Sequence, residues 1–308
     1  MPRRLSPTTS AHLLLLAVVV VWGATFVLVK DALRDVSPLL FNLLRMSLAF
    51  IALAVVNHRQ LRHIDHYALR SGLLVGIFLA VGYQFQTAGL ARTTAAKSAF
   101  ITGLVVVLVP LFTAVPALRS PNTPAPRWTT AIGAILAFVG LFFLTTPTGT
   151  SWQTLFVSVG TGDILTLGCA VAFAAHLLSL AHTSTKVPTG QLATLQIGVA
   201  ALIMATTLPI GGRPYVVYTP RLLVALVVTS LLATAAAFTI QSWAQQHLPP
   251  THTAILLTLE PVFACLTSFL VLHERLGRRS LSGAALILIG IGFTELIPSG
   301  RSVSTYPI

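Results

Sequence analysis

Ten apolar stretches, each long enough to cross a bilayer and separated by short polar joints, leave this chain very few ways to fold. They lie near residues 12–29, 38–57, 68–90, 95–118 and 128–146, then 161–182, 190–210, 221–243, 252–272 and 280–298. A membrane-spanning helix needs about 17–25 residues, and within the hydrocarbon its backbone must satisfy its own hydrogen bonds. Proline, glycine and charge collect in the joints, "NHRQLRHIDH", "RSPNTPAPR", "TTPTGTSW", "GGRPYVVYTP" and "HERLGRR". No joint is large enough to be a soluble domain. Only 8% of residues are charged and 55% are hydrophobic, against about 25% charged in soluble domains. The expected fold class is an all-α integral membrane protein with ten transmembrane helices.

Charge excludes further classes. The net charge of +12 comes without a basic run interleaved with aromatics, so no nucleic-acid partner is expected; cationic joints suit lipid headgroups. Cys169 and Cys265 both fall inside apolar runs and read as small packing side chains. The start, "MPRRLSPTTSAHLLLL", has the charged head of a leader, but its apolar stretch continues to Val29. It reads as a retained first span. His58, His63 and His66 share one loop without carboxylate or cysteine partners, so no metal site is expected there, nor in "HLPPTH". No phosphate-binding glycine loop is present, and no cofactor is implied.

The two sets of five runs resemble each other. "DVSPLLFNLLRMSLAFIAL" (35–53) lies over "TKVPTGQLATLQIGVAALI" (185–203), and "VWGATFVLV" (21–29) over "AFAAHLLSL" (172–180). "YQFQTAGLA" (83–91) lies over "FTIQSWAQQ" (238–246), and "VPLFTAV" (109–115) over "EPVFACL" (260–266). Five is odd, so a copied five-helix unit re-enters the membrane inverted. That architecture recurs in secondary transporters, whose substrate site lies near the midplane between the repeats. The expected boundaries are 1–150 and 151–308.

These residues, with "TTAAKSAFITGLVVVLVPL", "GDILTLGCAVAFAAH", "LLTLEPVFACL" and "HERL", resemble the EamA family of the drug/metabolite transporter superfamily over roughly residues 12–298. The resemblance implies ten helices in two inverted repeats, export or exchange of small metabolites, and cytoplasmic termini. His273 and His176 depart from the family pattern. The Lys/Arg tally does not orient the chain, with nine on either side. Arg3 and Arg4, unopposed before the first span, agree with termini inside, and the expected location is the plasma (inner) membrane. Monomer and homodimer both remain open.

Charge inside a membrane is costly, so it marks a cavity or a partner. Arg45 follows Pro38 by seven residues, about 10 Å into its helix, and reads either as a snorkelling cation or as part of a cavity lining. Lys97 follows Thr93 and Thr94 at the head of span four. There a helix terminus favours anions over cations, so either an anion arrives or the lysine snorkels. Glu260, before Pro261, is the deepest carboxylate. It reads as an ion-pair partner of Arg45 or Lys97, as a packed neutral acid, or as a proton or substrate-amine site. Trp22, Thr25, Gln84, Gln86, His176, Gln196, Gln241 and Trp243 complete the expected lining. The expected function is secondary transport of a small organic metabolite, such as an amino acid, by alternating access. An intramembrane enzyme is the rival, although Asp163 and Glu260 are distant in sequence; a non-transporting accessory protein is the other.

Overall fold

The computed structural model describes residues 6–90, 92–93, 95–120, 125–146, 153, 159–272 and 277–295, and some side chains within these, that of Lys97 included, lie outside the description. The described residues are helical apart from joints and one isolated antiparallel bridge, Val36 to Val216. The helices are α1 (Pro7–Ala32), α2 (Pro38–Val56), α3 (His66–Leu90), α4 (Ala95–Thr102), α5 (Val105–Ala114) and α6 (Trp128–Thr145). They continue as α7 (Thr161–Thr183), α8 (Thr189–Thr207), α9 (Pro220–Ala244), α10 (Pro250–Leu257), α11 (Glu260–Leu272) and α12 (Arg278–Glu295). Seven of the described helices are long and apolar enough to cross a membrane, and Ser98–Ala114 is a shorter apolar one.

Local chemistry sets the helix starts. Proline at the first turn opens α1, α2, α9 and α10, where its missing N–H costs nothing and its fixed φ suits the helix. Ser6 accepts from the Thr9 amide and Thr219 from the Leu222 amide, satisfying N–H groups that a helix leaves free. Asp163 accepts from the Gly160 amide at the start of α7 and from the Thr93 hydroxyl at 2.7 Å. In α9 the segment Leu231–Ala236 is wound as a π-helix. Glu260 does not sit mid-helix: α10 ends at Leu257 and α11 begins at Glu260. Pro261 therefore falls in a first turn, where it displaces no hydrogen bond.

Packing follows a pattern that repeats. Helix α1 lies on α9 and α11, while α7 lies on α3, α4 and α5; α2 meets α8, and α6 meets α12. The last pair crosses through reciprocal glycines. A Cβ at Gly140 would stand 2.6 Å from the Gly283 carbonyl oxygen, and one at Gly133 2.6 Å from that of Gly290. Lipid offers no hydrophobic drive between helices, so close backbone approach through small residues supplies the attraction. The largest buried cluster joins α2, α3, α8 and α9 around Met46, Leu79, Ile197 and Phe238.

The two ends of the bundle differ in chemistry. At the near face, where α1 starts, neutral amides stitch the joints: Gln191 donates to the carbonyls of Gln60 and His63, and Gln246 to that of Ser184 and to Thr189. At the far face the clamp is ionic. Arg221 donates twice to Asp35, at 2.6 and 2.7 Å, and Thr219 donates to the same carboxylate. Those bonds, from Arg221 first and Thr219 next, hold the Asp35 carboxyl down at about 2.

Candidate functional site

The far face opens into a cavity of about 440 Å³ whose walls include Ser37, Pro38, Thr87, Arg92, Leu208 and Pro214. Beneath it lie two cross-helix pairs, one turn apart. Asn42 of α2 donates to Thr87 of α3 at 2.8 Å. One turn deeper on both helices, Arg45 meets Tyr83, donating to its hydroxyl at 3.2 Å, with the guanidinium carbon 5.2 Å from the ring centroid.

Arg45 is 7% exposed and turned into the bundle. Its Nε donates to Thr234 at 2.5 Å and its Nη2 to the Ala233 carbonyl at 3.0 Å. Both acceptors belong to the π-helical turn of α9, a distortion often placed at functional sites. The same Ala233 carbonyl accepts from Trp22 Nε1 at 2.8 Å. Aromatic rings close the floor: Trp22 packs on Phe238 with centroids 5.7 Å apart, Phe173 on Tyr83 at 5.6 Å, and Tyr83 on Phe238 at 6.4 Å. All the acceptors of Arg45 are neutral, so its charge is solvated but not neutralised.

Glu260 supplies the opposite sign. It is half-buried, and among the described residues its carboxylate makes neither a hydrogen bond nor an ion pair. As the first residue of α11 it stands at a helix terminus carrying about half a positive charge, which favours the carboxylate. Gly23 brings α1 against this turn, because a Cβ there would stand 2.7 Å from the Phe263 Cβ and 2.9 Å from the Glu260 carbonyl oxygen. The site thus holds one basic and one acidic side chain, Arg45 and Glu260, neither of them in an ion pair among the described residues.

A third group adjoins these. His176 donates to Gln196 at 2.9 Å, Gln196 donates to Ser242 at 3.0 Å, and Ser242 donates to the Phe238 carbonyl at 2.6 Å. His176 also meets the Phe238 ring edge-on at 5.9 Å. Trp22, Arg45, His176 and Gln196 therefore converge around Phe238. Gln84 donates to Thr207 at 2.6 Å, close to the cavity wall, and Gln86 is half-buried. Thr25 bonds back to its own helix, at Val21 and Trp22. Trp243 packs instead with Ala11, Leu15 and His247 toward the near face. Gln241 is buried on α9. The Lys97 side chain and His273 lie outside the described residues. Among the described residues no three His, Cys, Asp or Glu side chains cluster as a metal site would require.

Tyr83, Thr234 and Ser242 were absent from the expected lining. Tyr83 stands beside Gln84 in "YQFQ", a signal that was available. The Ala233 carbonyl is exposed to donors by a backbone winding that "LLATAA" does not announce.

Apolar helices joined around a buried polar seam define a multi-pass membrane protein. The model of the EamA-like transporter family matches residues 9–146 and again 160–296. The chain belongs to that family and is a membrane transporter. An uncharacterized transporter of Archaeoglobus fulgidus is 33% identical, covering 93% of this chain and 86% of the relative. The uncharacterized transporter YoaV of Bacillus subtilis is 23% identical over 94% and 98%. A solved crystal structure at 19% identity superposes with a TM-score of 0.76, over 94% of this chain and 97% of its own. That likeness fixes the fold.

Proposed function

We propose that the protein is a secondary active transporter that exports or exchanges a small organic metabolite, an amino acid or a related compound. It works by alternating access around Arg45 and Glu260. The observation that carries this reading is the presence of Arg45, buried below the far-face cavity, and Glu260, at the head of α11, neither bonded to a counter-ion among the described residues. A zwitterion supplies both missing charges, its anionic group on the free edge of Arg45 and its ammonium on Glu260. A proton on Glu260 is the alternative occupant between substrates.

The two family matches and the mirrored packing of α1 and α7 support two inverted five-helix units, one on each side of residue 150. In that reading α4 with α5, and α10 with α11, are single interrupted spans, which gives ten. Both termini then face the cytoplasm, the far face is extracytoplasmic, and the protein sits in the plasma membrane.

The test is uptake of labelled amino acids into proteoliposomes, followed by Arg45→Ala and Glu260→Gln. Time-dependent uptake that both substitutions reduce at least tenfold is expected. Uptake indifferent to both removes the charged pair as the substrate site, and turnover of a substrate in detergent would favour an enzyme.

A further inference from the structure

Helix α9 carries more polar groups than the Arg45 site uses. Ser230, Thr234 and Gln241 recur at spacings of four and seven along α9, and Gln245, four residues further on, caps its end. Thr234, at its middle, accepts from Arg45. Toward the near face come the two glutamines, 2% and 4% exposed. Among the described residues the Gln241 Oε1 and both amide atoms of Gln245 are buried without a hydrogen-bond partner. Residues four apart share a helix face, so these unpaired groups adjoin each other. Buried amides are normally satisfied, and each exception calls for an explanation.

The explanation comes from the ends. The repeat pairing of residues 83–91 with 238–246 sets Thr87, which lines the open far-face cavity, over Ser242. In the near-face region equivalent to that cavity, side-chain amides bridge the helices and joints. Asn57 donates to Thr194 at 3.2 Å, Gln191 to the Gln60 carbonyl at 2.6 Å, and Gln246 to the Ser184 carbonyl at 2.7 Å.

We infer that Gln241 and Gln245 form a second substrate station, between Arg45 and the near face, that is stripped of partners while this amide latch is closed. It takes an uncharged polar group able both to donate and to accept, such as a hydroxyl or carboxamide on the migrating substrate. The inference rests on the transport reading. In the closed state the two amides are held dry; when the latch opens, water and substrate complete their bonds.

Two measurements test it. In Gln241→Leu/Gln245→Leu, shorter apolar side chains replace the unpaired amides. The expected result is an unchanged or raised Tm with uptake reduced at least tenfold. Unchanged uptake would make the glutamines idle, and a fall in Tm would make them structural; either overturns the station. The second measurement needs no substrate. Gln245→Cys is placed in a background carrying Cys169→Ala and Cys265→Ala and exposed to a membrane-impermeant maleimide. Labelling from the near face should rise at least fivefold when Gln191→Ala and Gln246→Ala open the latch. Labelling that is unchanged, or already complete with the latch intact, overturns the inference. If labelling responds while no metabolite is carried, the transport reading fails and the latch stands.

Discussion

Arg45→Met separates the two roles a buried arginine can have, holding the fold or holding a ligand. The residue makes three hydrogen bonds from a charged donor, to Thr234, Ala233 and Tyr83. Bonds of that kind contribute about 1.5–3 kcal/mol each, so the gross gain is of order 5–9 kcal/mol. Against it stands the desolvation of an ion, several kcal/mol even after relaxation, with no bonded carboxylate among the described residues to offset it. The terms nearly cancel. Methionine fills most of the volume, Thr234 turns to its own helix, and Ala233 keeps its bond from Trp22. The expected change in stability is within about 2 kcal/mol, a Tm shift of roughly 4 °C or less.

The effect on a bound carboxylate is different in kind. Truncating one partner of a buried charge pair costs about 2–5 kcal/mol, and each 1.4 kcal/mol is about a factor of ten. Uptake kcat/KM should therefore fall by about 30-fold to more than 1000-fold while the protein stays folded. Arg45→Lys keeps the charge but lacks the planar fork that reaches Thr234 and Ala233 together, and should restore only part of the rate. Proteoliposome uptake and thermal unfolding in detergent, measured on the same preparations, read both quantities. A methionine variant that transports normally, or one that loses more than about 4 kcal/mol of stability, would refute the argument.

Three further outcomes follow from the geometry. Asp35 has its carboxyl held at about 2 in the folded protein against an ordinary 3.8. The clamp to Arg221 is therefore at full strength above about pH 4 and weakens as pH falls toward 2; Tm should drop across that interval, and Asp35→Asn should flatten the drop. Gly283→Val places a Cβ 2.5 Å from the Gly140 carbonyl oxygen, so α6 and α12 must separate, at a cost of about 1–3 kcal/mol read as a lower Tm in detergent. Glu260→Gln removes the negative charge and keeps the shape; uptake of a zwitterion should fall at least tenfold, with less effect on an analogue lacking the ammonium group.

The apolar runs and the family signature were legible because each is written in many residues at once. A span twenty residues long survives any one misread position, and prolines 38 and 188 mark the same turn in both halves. The site was legible only in outline. Arg45, Trp22, His176 and Gln196 stood out as polar groups that hydrocarbon tolerates poorly, and the structure gathers them around Phe238. Their partners left a weaker trace. The Ala233 carbonyl has no letter of its own, and Thr234 differs from any other buried threonine only because a π-turn directs it at a guanidinium. Position along a helix was equally hard to read. Counting from Thr251 set Glu260 in mid-span, but Thr258 bonds back to the Ile255 carbonyl at 2.6 Å, the helix ends, and Glu260 opens the next one.

That restart bears on how a carrier can keep an acid in its centre. In mid-helix a carboxylate would rely on a salt bridge, and a permanent bridge to Arg45 would occupy the groups a substrate needs. At the head of α11 the acid stands at the positive end of the helix dipole instead, while Arg45 is held by neutral acceptors, two of them on α9. Each charge is thereby stabilised without being consumed by the other. A fold that merely needed stability would gain from closing the pair or deleting it. Keeping both, unjoined among the described residues, is the arrangement that the proposed site calls for, with a third party carrying both signs.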